Sequence, residues 1–195
     1  MPEGPEIETE KLHEAIHEEL EKGGGSFIRN IALTTALLAA LAALSSLEAG
    51  ATVNEALVLK TEATRLQAEA SDQWAYYQAK GVKASVAEGA AAAFAAAGKE
   101  APPAYEERRR RYVQEQEAIQ EKAKERERER EAKDREADHL LHLHHRYAAA
   151  VAFFQVSIAL GAIAALTRFR LVWLGSMALG AAGIVFAVLG LAGGR

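Results

Sequence analysis

Hydrophobic positions along this chain follow two patterns, unbroken blocks and a sparse seven-residue repeat. Two blocks lie near the C-terminus, residues 147–166 (YAAAVAFFQVSIALGAIAAL) and 171–191 (LVWLGSMALGAAGIVFAVLGL). Each supplies the ~20 residues a helix needs to cross a hydrocarbon core, and neither contains Asp, Glu, Lys, Arg or His. Only TRFR, residues 167–170, separates them, which predicts a tight helical hairpin with Trp173 as an interfacial anchor. A third block, residues 27–47, is richer in alanine. It is too long for a signal peptide and lacks an early basic region and a clean cleavage site, so it reads as a further span. Small residues in rows, Ser157, Gly161 and Ala165 in one block and Gly175, Gly183 and Ala187 in the next, would let spans approach closely.

Between the blocks the pattern changes. Residues 48–146 show no strand-like alternation and one strong breaker, Pro102-Pro103. Ala49, Ala56, Ala63, Ala70, Tyr77, Ala84 and Ala91 recur every seven residues, with Leu59 and Leu66 between them. Such a seam favours two helices packed at short range. The expected architecture is an antiparallel, coiled-coil-like helical hairpin with its tip near 98–104, each arm ~60–75 Å long at 1.5 Å per residue. Gly81, Gly89 and Gly98 should weaken the distal part. On the returning arm Tyr105, Tyr112 and Ile119 keep the spacing, Arg126 and Lys133 interrupt it, and Leu140 resumes it. Looser packing is expected in between, where residues 121–131 (EKAKERERERE) place opposite charges three apart, as in Glu121–Lys124 and Arg126–Glu129.

The predicted fold class is therefore all-α: a membrane protein with three transmembrane helices, 27–47, 147–166 and 171–191, and an extramembrane hairpin, 48–146. Ahead of it lies an acidic tail, 1–26. A short helix starting near Pro5, with Leu12, Ile16 and Leu20 on one face, would be joined to the first span through GGGS, residues 23–26. Basic residues set the orientation. Arg168 and Arg170 put the hairpin turn in the cytoplasm and Arg29 puts the N-terminus there, leaving 48–146 in the periplasm, with the chain in the bacterial inner membrane.

Charge and composition exclude several chemistries. A net charge of −4 argues against nucleic acid as a partner. The four arginines of ERRRRY, residues 107–112, point all round a helix among acids and read as a solvated face. With no cysteine, disulfides and thiolate metal sites are excluded. Residues 138–147 (DHLLHLHHRY) place His139, His142 and His145 within about a third of a helix circumference, near Asp138. They are weak metal candidates, because steps of three splay the rings; an interfacial collar of polar rings is the favoured reading, and no cofactor is expected.

The first residues, MPEGPEIETE, resemble the opening of DNA-repair glycosylases of the formamidopyrimidine and endonuclease-eight type. That resemblance implies Pro2 as an amine nucleophile with Glu3 handling protons. The remainder of the chain offers no β-rich domain and no cysteines for a zinc finger, so the opening reads as a solvated acidic helix. A second resemblance runs nearly the whole length after residue 26. ALTTALLAALAAL (32–44), SDQWAYYQAK (71–80), a charged helix and a C-terminal hairpin with a basic turn resemble a bacterial family of small membrane proteins, domain-of-unknown-function family 4337. It implies three spans and an extramembrane helical domain, and supplies no activity, cofactor or catalytic residue.

Within SDQWAYYQAK, Tyr77 falls on the alanine seam, whereas Trp74 and Tyr76 have two readings, internal packing or contact with another protomer. The function expected is non-enzymatic: a self-assembling scaffold or interaction protein whose partners are the lipid bilayer, further copies of itself and a possible unidentified protein. Ala56, Ala63 and Ala70, on the seam, are expected to serve the packing of the arms or, with the aromatic patch, the association. The alternatives are an oligomeric channel or transporter component lined by Thr34, Thr35, Ser45 and Ser46, and a pH or metal sensor using the histidines.

Overall fold

The protein was analysed as a computed structural model that describes residues 25–194. Three helices account for nearly all of them: α1, Gly25–Ala96; α2, Pro103–Thr167; and α3, Arg170–Gly193. The described residues contain no strand, and the fold class is all-α. Each helix includes a stretch long and apolar enough to cross a membrane, by length and composition. At 72 and 65 residues, α1 and α2 far exceed the length of one span. Alanine and straight-chain charged residues, the strongest helix formers, keep them continuous. Gly81 and Gly89, expected to weaken the distal part, are passed without a break. The acidic helix near Pro5 lies outside the described residues, and Gly25 and Ser26 of the expected linker already belong to α1.

The end of α1 is specified by one glycine. Gly98 adopts φ 68°, the left-handed region where a side chain would be strained. The Lys99 amide then donates to the Phe94 carbonyl at 3.0 Å and the Gly98 amide to Ala95 at 3.0 Å, the paired closure of a Schellman cap. Pro103 opens α2, where a missing amide hydrogen is harmless. Between α2 and α3 the reversal is tighter, and Arg168 takes φ 53°, uncommon for a residue with a side chain.

The described residues form two compact units, one from residues 25–52 and 142–194 and the other from 53–141. In the first, the interior is built from small side chains and a few rings. Phe154, Ala150 and Ala164 are fully buried, with Leu38 and Ile31 beside them, and the hydroxyls of Ser157 and Ser176 are buried too. Leucines face outward: Leu33, Leu37, Leu44, Leu47, Leu171 and Leu191 are all more than half exposed.

In the second unit α1 contributes Ala56, Ala63 and Ala70, with Leu59 and Leu66 between them, all buried. The α2 side is better closed than its charge suggests. Arg126 and Lys133 are half-buried flanking positions, and the interior is carried by Ile119, Ala123 and Ala137. The seam on α2 alternates steps of four and three, so where one column holds Arg126 and Lys133 the other supplies Ala123 and Ala137, with Arg130 half-buried between them. The stretch expected to be loose is also bridged by ion pairs: Lys60 to Asp134 at 2.7 Å, Arg126 to Glu69 at 3.3 Å and Lys133 to Glu62 at 3.6 Å.

Burial at Ala70 is complete. Ala70→Glu places an unpaired carboxylate in the seam and should lower the stability of the unit by about 2–4 kcal/mol. Ala132→Glu, on α2 and exposed, should change it by less than about 0.5 kcal/mol. Thermal melting of the full chain followed by circular dichroism distinguishes the two.

Candidate functional site

Two places in the structure concentrate specific contacts. The first is the facing surface of α2 and α3 in the unit formed by the chain ends. Partners run in opposite directions along the two helices, and at each level one side is a glycine. A Cβ on Gly190 would stand 2.7 Å from the Tyr147 ring, one on Gly183 2.7 Å from the Phe154 ring, and one on Gly180 3.2 Å from the Ser157 hydroxyl. Gly161 is on the α2 side, where a Cβ would meet the Thr35 methyl group of α1 at 2.6 Å. Rings and backbone therefore nest, as small-residue helix contacts allow.

In the middle of this surface two serines bond reciprocally. Ser157 Oγ donates to the Ser176 carbonyl at 2.5 Å and Ser176 Oγ donates to the Ser157 carbonyl at 2.7 Å. Both hydroxyls are satisfied without water, which an apolar surround requires. Near the α2–α3 turn Trp173 packs edge-on to Phe27 at 5.7 Å, and the Arg170 guanidinium sits 5.9 Å from that ring.

This geometry corrects one expected residue and adds several. Gly175 is exposed with nothing within 4 Å of its Cβ position. It lies one residue from the buried row, which on α3 is Ser176, Gly180, Gly183 and Gly190. Ser157 and Gly161 lie on the facing surface, while Ala165 is half-buried. Small residues are so frequent in α3 that spacing alone admits more than one row. Phe154 and Tyr147, which fill the glycine hollows, carried no small-residue signal.

The second place is the aromatic patch of residues 53–141. Trp74 Nε1 donates to Glu127 Oε1 on α2 at 2.8 Å, and its ring meets Tyr77 edge-on at 5.6 Å. The Tyr77 carbonyl accepts a bond from Gln116 Nε2 at 3.2 Å. Gly81 leaves room for that amide, since a Cβ there would lie 2.8 Å from it. The Lys80 ammonium lies 5.1 Å from the Tyr76 ring centre and 5.4 Å from that of Tyr112, and pairs with Glu115. Trp74 and Tyr77 thus clamp α1 to α2, and Tyr76, half exposed, is the ring left toward solvent. Lys80, Glu115, Gln116 and Glu127 complete the clamp; an isolated aromatic motif does not reveal them, because each is an ordinary surface residue type.

Other expected positions separate. Ala56, Ala63 and Ala70, expected to serve the packing of the arms or the association, are consumed in the interior of their own unit and offer no outward face. His139, His142 and His145 are each exposed. Among the described residues no group of three or more His, Asp or Glu side chains is arranged to hold a metal ion. Asp138, placed beside the histidines from sequence, pairs with Lys60 at 2.8 Å. The remaining histidine of that segment, His144, donates from Nδ1 to the Ala49 carbonyl at 2.9 Å. Arg29 is exposed near the start of α1. In ERRRRY, Arg109 and Arg110 converge on Glu106, at 2.8 and 3.0 Å.

The fold and these contacts define a class, an all-α protein of long antiparallel helices with three apolar stretches and small-residue contacts. Within that class, the family model described as Domain of unknown function (DUF4337) matches residues 27–193. The chain belongs to this family. No curated protein and no solved structure matches it.

Two measurements probe these contacts. Gly183→Val drives a side chain into the Phe154 ring and should destabilise the hairpin by about 1–3 kcal/mol. Ser157→Ala should cost about 1 kcal/mol and Gly175→Val close to nothing, as read by unfolding in mixed detergent micelles. Hydrogen bonds from Arg109 and Arg110 hold the Glu106 carboxyl down at about 2. The bond from Lys80 lowers Glu115, and that from Lys60 lowers Asp134. A carboxyl lowered on folding stabilises the fold above its unfolded pKa and ceases to as pH falls through the folded one. Melting temperature should therefore decline on acidification from the ordinary carboxylate range toward pH 2, and carbon-detected NMR should find the Glu106 midpoint near 2 rather than 4.5.

Proposed function

We propose that this protein is a non-enzymatic integral membrane protein that uses its extramembrane helical hairpin to assemble with copies of itself. Residues 27–47, 147–166 and 171–191 cross the bilayer, and 48–146 lie outside it. The observation that carries the reading is the distribution of polarity in the unit built from the chain ends. Its hydroxyls face inward, at Ser157 and Ser176, and its leucines face outward, at Leu33, Leu37, Leu44 and Leu47. Water would select the reverse, whereas lipid accepts outward leucine and makes the reciprocal serine bonds worth forming. Basic residues at Arg29, Arg168 and Arg170 favour a cytoplasmic N-terminus and α2–α3 turn, with the hairpin in the periplasm of a bacterial inner membrane.

Assembly is the economical role for such a hairpin. The ion pairs described above and the Trp74 clamp bind its two helices to each other and make it stiff. Carbonate extraction of bacterial membranes tests the anchoring: the full chain should remain in the pellet at pH 11. Release into the supernatant contradicts the spans. In the same cells a Lys99→Cys variant should react with an impermeant maleimide and Thr167→Cys should not; the opposite labelling reverses the orientation.

A further inference from the structure

The hairpin of residues 53–141 is lopsided in charge. On α1, the heptad column opposite the buried seam holds Asn54, Thr61, Ala68, Ala75, Val82 and Gly89, all exposed. The two columns flanking it add large apolar side chains, with Leu57, Val58 and Val86 at 58%, 67% and 66% exposure. Across these three columns, from residue 54 to 93, the only charged residues are Arg65 and Asp72. Arg65 is already held by Glu62 and Glu69 of its own helix. The outermost column of α2 reads Glu107, Gln114, Glu121, Arg128 and Arg135, with Arg110, Glu117 and Glu131 beside it. The outermost stripe of a two-helix unit in water should be its most polar. α2 obeys this rule and α1 breaks it over the same length.

We infer that this face of α1 is the contact surface for a second copy of the chain, α1 against α1 in parallel. The inference rests on the membrane-anchored, self-assembling reading above, and identifies which surface does the assembling. Two copies anchored in one bilayer with the same orientation are related by a two-fold axis along its normal. Near such an axis each residue meets its own counterpart. A self-matching face must then be neutral, because like charges directly opposed cost several kcal/mol. The central column of the α1 face is uncharged, with Arg65 and Asp72 confined to one flanking column, whereas the α2 face would set glutamate against glutamate and arginine against arginine. A charged partner of another kind is disfavoured by the same neutrality, since the face offers almost nothing to complement.

The size is sufficient. Forty helical residues run ~60 Å, and a stripe ~10 Å wide covers ~600 Å² on each copy. Doubling it gives ~1,200 Å², the lower bound for a specific interface. Confinement to a common membrane raises the effective concentration, so an interface of that size holds.

The absence of cysteine makes the test clean. Single-cysteine variants of the full chain, Ala68→Cys, Ala75→Cys and Val82→Cys, are oxidised with copper phenanthroline in native membranes, beside Ala118→Cys and Ala132→Cys on α2. Disulfide-linked dimers of this chain at the three α1 positions, and none at the α2 positions, are expected. In mild detergent Ala75→Glu should raise the dissociation constant about tenfold or more, with helix content unchanged. Equal crosslinking on both helices, or crosslinks to a protein of another mass, overturns the proposal. An oligomeric native mass without α1 crosslinks overturns this face and leaves self-assembly standing. A monomeric mass without crosslinks overturns both.

Discussion

Close approach between helices is the constraint on which this structure depends, and it is met by keeping side chains small wherever two backbones face each other. Alanine does this at Ala56, Ala63, Ala70, Ala123 and Ala137, all buried between α1 and α2. In the unit formed by the chain ends, glycine and serine do it, with Gly180, Gly183 and Gly190 offering hollows for Ser157, Phe154 and Tyr147. The two solutions differ in what accompanies the small residues. Alanine contacts contribute little burial each, so residues 53–141 add leucines at Leu59 and Leu66 and bracket the seam with ion pairs. Exposed pairs of that kind are individually weak, and their value here is in fixing which residues of α1 lie opposite which residues of α2. In the proposed membrane setting hydrophobic burial would not drive helices together, and ring-into-glycine packing with the Ser157–Ser176 bonds would take over.

Several elements were legible in the sequence because one physical signal carried each of them. Unbroken apolar runs marked the three stretches, and Pro102-Pro103 with Gly98 marked the reversal between α1 and α2. The seven-residue spacing of alanine on α1 showed which residues face inward, and left open whether they pack the hairpin's own arms or a second chain. A buried seam within one hairpin and a seam between two chains share the same spacing, and only the position of α2 shows that Ala56, Ala63 and Ala70 are internal.

Other features were hidden because signals overlapped. On α2 the core alanines, Ala123 and Ala137, are separated by Arg130 and embedded in a run of alternating charge, so one core column looked interrupted while the other carried the packing. In α3 glycine and alanine are frequent enough to define competing rows, and Gly175 was chosen in place of Ser176. The aromatic patch was visible, yet its partners Glu127 and Gln116 lie about 40–50 residues away. What residue spacing could not show at all is an absence, the missing charge on the outer face of α1, which becomes meaningful only once the inner face is known.

The account stands on the claim that the outward leucines of the chain-end unit face lipid. Spin labels at single cysteines introduced at Leu37, Leu44, Leu174 and Val188, all outward-facing, report this directly through their accessibility to oxygen and to a water-soluble nickel chelate in reconstituted bilayers. The account predicts high oxygen and low nickel accessibility at these four sites, with the opposite at Lys99 in the turn after α1. Nickel accessibility at the four leucine and valine sites equal to that at Lys99 would contradict it.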